Sequence, residues 1–179
     1  MKSAIAFSAL VAATAVALAD DFDTWHEASP NKALFAIERR IPDLSEPSRL
    51  DLDGFEVFIC RTESGPGSVV APGSVIAQHE FPGRLVSQIQ WSPDSKFLLF
   101  TTASSGGHSP WHFKTFVFCT ADRSFRDVEA AAGGSVGAPE FHFEPPDIVV
   151  LRLYDAAGGA PKEIKLSLSK AAPQMQRLS

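Results

Sequence analysis

From residue 33 onward, apolar and polar positions alternate in short runs with the period of two that marks a β-strand. The runs are ALFAIERR (33–40), FEVFICR (55–61), SVIAQHE (74–80), LVSQIQW (85–91) and FLLFTTA (97–103). FKTFVFC (113–119), SFRDVEA (124–130), PEFHF (139–143), DIVVLRLY (147–154) and KEIKLSL (162–168) follow. They are rich in Phe, Val, Ile and Leu, which suit a pleated, half-buried surface. Turn residues separate them: SGPG at 64–67, SSGG at 104–107, ADR at 121–123 and AGG at 157–159. The string EAAAGG (129–134) is alanine-rich but too short for a stable helix. The pattern predicts an all-β chain.

Three of the junctions between runs resemble one another. They are WHEASPNKALFA (25–36), WSPDSKFLLF (91–100) and FHFEPPDIVVL (141–151). Each has an aromatic residue (Trp25, Trp91, Phe143), then a proline turn (Pro30, Pro93, Pro145), then an apolar run. Proline presets φ at the first central position of a turn. The residue after it, Asp94 in the best-formed copy, bonds its own backbone or tolerates a left-handed conformation. These residues are therefore assigned structural roles in hairpins. In the first copy Asn31 replaces Asp, in what reads as a shortened turn. Downstream, FEVFICR and KTFVFCT place Cys60 and Cys119 at one apparent register. The segment 85–130 thus reads as a unit of four strands, with a longer-looped unit before it and a three-stranded one after it.

The stretch WSPDSKFLLF resembles the TolB-type β-propeller repeat, whose hairpin commonly reads W/F-S-P-D-G-x-x-L/I-x-F, with Ser95 in the usual glycine position. The resemblance implies about three four-stranded antiparallel blades, a partial propeller. A β-sandwich is the alternative architecture. A half-ring exposes two apolar faces, so a protein partner or a homodimer is expected to cover them. The function implied is that of an exported, non-enzymatic module binding protein or peptide in the cell envelope.

The first residues change the picture of where the chain works. Lys2, the apolar AIAFSALVAATAVALA and the small-x-small Ala17-Leu18-Ala19 have the layout of a secretory signal peptide. Residues 1–19 are expected to be a signal peptide, 20–170 the repeat domain and 171–179 a C-terminal tail. The expected location is periplasmic or extracellular. No later run is long enough to span a bilayer. The formal charge is −5 and the basic residues are scattered singly, so a nucleic-acid partner is not expected.

Candidate chemistry is sparse. His108, Trp111 and His112 cluster in GGHSPWHFK. Zinc-type i, i+4 histidines need a helix, which Ser109-Pro110 breaks, so no metal is assigned. Trp111 is suited to stack on a sugar, which makes a carbohydrate-binding or minor hydrolytic protein the alternative function, with its site in this loop. RLDLDGF (49–55) carries Arg49 where a calcium loop needs an acid, and Asp53-Gly54 reads as a turn before a strand. No nucleophile elbow, phosphate loop or dinucleotide fingerprint occurs. No cofactor is expected. Cys60 and Cys119 are expected as buried thiols rather than a disulfide.

Overall fold

A computed structural model of the chain describes residues 26–42, 52–62, 75–104, 113–154 and 160–179. The expected signal peptide, Trp25 and the segment holding His108, Trp111 and His112 lie outside the described residues.

Strands β1 (His26–Ala28), β2 (Leu34–Pro42), β3 (Leu52–Arg61) and β4 (Val75–Pro82) form an antiparallel sheet in chain order. Gly83, at φ 65°, turns the chain from β4 directly into β5 (Arg84–Trp91). Strands β6 (Phe97–Ser104), β7 (Lys114–Cys119) and β8 (Ser124–Asp127) complete the body of a second sheet. After a single helical turn, α1 (Glu129–Ala132), strands β9 (His142–Glu144), β10 (Ile148–Leu153) and β11 (Lys162–Ser167) form a third. The chain then passes through α2 (Leu168–Ala171) and a 3-10 turn, Ala172–Gln174, to β12 (Gln176–Arg177). That last strand pairs with β8 and gives the middle sheet a fifth strand.

Alternation along the strands fixes the layering. Phe55, Val57 and Ile59 of β3 pack with Phe81, Ile89, Trp91, Leu98, Phe100, Phe116, Phe118 and Phe125 in one core. The intervening residues of the middle sheet, Phe97, Leu99, Val117 and Cys119, point the other way. They meet Val149 and Leu151 of β10 with Leu168, Ala171 and Met175. The five-stranded sheet therefore lies between the other two. Its first core is mainly aromatic: Phe81 stacks on Phe55 at 4.8 Å and meets Phe100 edge-on at 5.1 Å.

The propeller expectation is corrected by this topology. The three antiparallel sheets have four, five and three strands, and none is closed or curled into blades. The TolB-like repeat reading fails for a physical reason. The Ser-Pro-Asp turn is a local device that joins two strands, and it carries no instruction for arranging sheets around an axis. The equivalence also stops at the second copy. In the first two turns Lys32 (φ 57°) and Ser95 (φ 61°) are left-handed, whereas Glu144–Asp147 contains no positive-φ residue. Residues past 170, expected as a tail, anchor the middle sheet instead. Arg126 donates to the Ala172 carbonyl and pairs with Asp122, which also pairs with Arg177.

The turn chemistry itself is as the residues suggest. Ser92 Oγ donates to Asp94 Oδ1 (2.7 Å) and accepts from the Phe97 N–H (3.0 Å). Asp94 Oδ1 also accepts from the Lys96 N–H (3.1 Å). Burial alone would raise the Asp94 pKa, but these hydrogen bonds and the Lys96 charge hold it below the usual carboxylate range. The first copy repeats the pattern. Ser29 Oγ donates to Asn31 Oδ1 (2.9 Å), and Asn31 Oδ1 accepts from the Ala33 N–H (3.0 Å). Ser29 Oγ also accepts from the Leu34 N–H (3.0 Å). The first turn is thus not shortened, because Asn31 offers the same acceptor as Asp94. The two turns touch, with the Asn31 N–H on Ser95 Oγ at 3.0 Å.

Three smaller expectations also change. Cys60 faces Phe35 across its strand pair while Cys119 faces Phe97, so relative to the turns the cysteines are one residue apart. Both are buried free thiols, and burial pushes the Cys119 pKa up to about 11. Gly54 lies inside β3 at φ 150° rather than in a turn before it. A Cβ there would sit 2.4 Å from the Phe81 carbonyl oxygen, so the close approach of β4 requires glycine. Finally, 129–132 is helical: Gly133 closes the turn in the left-handed conformation and bonds back to Glu129.

Candidate functional site

At one end of the middle sheet its aromatic face gives way to charge. Phe100 and Phe116 pair across β6 and β7, and two positions further on Thr102 pairs with Lys114. Phe116 also pairs with Asp127, the last residue of β8. Arg84 opens β5, immediately after the Gly83 turn. Glu129 opens α1. Residues that are far apart in sequence thus converge because four neighbouring strands start or stop at this end.

A chain of polar contacts connects them. Arg84 Nη1 donates to Thr102 Oγ1 (3.0 Å), and Thr102 Oγ1 donates to the Lys114 carbonyl (3.2 Å). Lys114 Nζ lies 3.6 Å from Asp127 Oδ2. Asp127 Oδ1 accepts the Glu129 N–H at 2.8 Å. The Glu129 carboxyl accepts the Val136 N–H, and its pKa is raised. Burial is the main cause, with the neighbouring Asp127 charge adding to it; Lys114, the Val136 N–H and Arg84 oppose it. The side chains of Lys114 and Asp127 remain 41% and 19% exposed, so solvent reaches the cluster.

In sequence, His108, Trp111 and His112 fall between Ser104, the end of β6, and Lys114, the start of β7. These flanking strand ends are beside the charged cluster, while residues 105–112 lie outside those described. Among the residues assigned structural roles, Trp91 is buried (3% exposed), and its indole Nε1–H donates to the Glu27 carbonyl at 3.0 Å. Pro30, Pro93 and Pro145 are exposed at their turns. Phe143 is half-buried against Phe141, with ring centroids 5.9 Å apart.

Sequence reasoning missed Arg84, Lys114, Asp127 and Glu129. They are scattered singly, and strand register alone brings them together. One usable signal was present: each stands next to a turn or a strand terminus, where functional groups tend to collect.

A concavity lies on the third sheet, lined by Glu140, Phe141, His142, Val150, Arg152 and Glu163. Its volume of about 90 Å³ is well below the roughly 300 Å³ of small-molecule pockets. No group of His, Cys, Asp and Glu among the described residues is arranged to hold a metal ion. No helix among them is long and apolar enough to cross a membrane. No known protein-family model matches the chain, and no curated protein shows significant sequence similarity to it.

Proposed function

We propose that the chain is an exported carbohydrate-binding protein whose ligand lies at the charged end of the middle sheet. The observation that carries this reading is the cluster of Arg84, Lys114, Asp127 and Glu129 at the strand ends that bracket residues 105–112. Sugars are held by charged groups that bond several hydroxyls, together with an aromatic face that stacks on the ring. This end of the sheet supplies the charged groups, and in this proposal Trp111, close in sequence to His108 and His112, supplies the aromatic ring. Binding is favoured over hydrolysis because Asp127 is already engaged: one oxygen accepts the Glu129 N–H and the other pairs with Lys114. Among the described residues, this cluster offers Glu129 no second unengaged carboxylate of the kind glycoside hydrolysis uses. Residues 2–19 carry the export part of the proposal.

A glycan array probed with the full chain after signal removal tests the reading. Trp111→Ala and Glu129→Gln are each expected to weaken the best hit at least about tenfold, the loss of one stacking or charge-assisted contact. Binding that survives both substitutions would place the site elsewhere. No glycan binding at millimolar concentration would remove the proposal.

A further inference from the structure

β11 is an edge strand. It pairs with β10 on one side, and among the described residues no strand lies on its other side. Lys162, Glu163 and Lys165 are exposed, and Ile164 and Leu166 are half-buried against the second core. The hydrogen-bond phase of the edge follows from its neighbour. The Leu168 N–H donates to the Asp147 carbonyl at 3.1 Å. Bonded and non-bonded pairs alternate along an antiparallel ladder. Leu166, Ile164 and Lys162 therefore exchange bonds with Val149, Leu151 and Leu153, while Glu163 and Lys165 turn their N–H and C=O groups to the open side.

We propose that β11 joins two copies of the chain, edge to edge and antiparallel, with Ile164 on the two-fold axis. The sequence KEIKL selects this register. A pairing centred on Ile164 sets Glu163 opposite the second copy's Lys165, and Lys165 opposite its Glu163. These residues are also the ones whose backbone groups face outward, so each opposite-charge pair coincides with a hydrogen-bonded pair. Centring on Glu163 would oppose two glutamates, and centring on Lys165 would oppose two lysines. Cross-strand pairs of opposite charge stabilise a sheet and like pairs destabilise it. Lysines on an edge otherwise discourage indiscriminate strand addition, so the same residues admit one partner and reject others. Within each copy Lys165 already contacts Glu144 at 2.5 Å and Glu163 faces Arg152 across the strands. The joined sheet thus carries a row of alternating charge, and a C2 contact of this kind is closed and self-limiting.

A contact built on one strand is below the standard interface size, so the dimer is weak. Sedimentation velocity of the full chain after signal removal is expected to show reversible dimerisation within the range of about 10 μM to 1 mM. Glu163→Lys and Lys165→Glu should each raise the dissociation constant at least about tenfold, and the double exchange should restore it. Circular dichroism checks that the variants keep their fold. A monomer throughout that range overturns the proposal. So does a dimer indifferent to the single reversals, or a folded double variant that stays monomeric.

Discussion

Trp91→Ala is expected to lower the stability of the chain by about 3–5 kcal/mol, the range for deleting a large buried aromatic side chain. Trp91 is 3% exposed and ends β5, at the junction between the aromatic core and the Ser92 turn. Its loss removes bulk from a core shared by two sheets. It also removes the indole hydrogen bond to the Glu27 carbonyl, which ties β1 to the middle sheet. Trp91→Phe separates the two contributions: much of the packing is kept, and the missing donor should cost about 1 kcal/mol. Urea melts of the two variants give both numbers. A loss under about 1 kcal/mol for the alanine variant would contradict the burial of this ring.

Glu38 should make the protein less stable as pH rises. It is 4% exposed and lies on the same face of β2 as Ala36. It pairs with Val57, which pairs in turn with His79. Burial raises its pKa from 4.5 to about 7, opposed by the Arg40 charge. The folded chain therefore holds a proton that the unfolded chain releases between these values. By linkage the ionised form opposes folding: the penalty is absent below pH 4.5, grows up to about pH 7, and is constant above it. Its size is on the order of 3 kcal/mol. Glu38→Gln is expected to stabilise the protein by that amount at pH 8 and to change little at pH 4.5. His79 acts in the opposite sense. Burial lowers its pKa despite the nearby Glu80, so its cost appears as pH falls below 6.5. Chemical melts of both proteins across pH 4.5–8 check the assignment. An equal effect of Glu38→Gln at both ends would show that the carboxyl does not titrate as described.

The strands were legible because alternation is a local property. Phe55, Val57 and Ile59 on one face of β3, with Phe58 and Cys60 on the other, follow directly from the period of two. The hairpin turns were legible for the same reason, since Ser92, Asp94, Ser29 and Asn31 act within five residues of themselves. Sheet arrangement is not local. Nothing in Gln176-Arg177 announces that it will pair with β8, and nothing in the Ser-Pro-Asp turn distinguishes stacked sheets from a ring. The charged cluster was hidden for a related reason. Arg84, Lys114 and Asp127 become neighbours only through the registers of β5 to β8. Glu129 was obscured by its place in a stretch that reads as strand continued from β8, whereas Gly133 lets it close as a helical turn.

Carbohydrate binding at the charged end of the middle sheet is tested most directly by amide NMR. The 15N-labelled chain is titrated in turn with cellotetraose, chitotetraose and xylotetraose. The expected result is saturable movement of the Arg84, Thr102, Lys114, Asp127 and Glu129 amides together with those of residues 105–112. Shifts confined to His142, Arg152 and Glu163 on the third sheet, or no saturable shift with any of the three sugars, would contradict it.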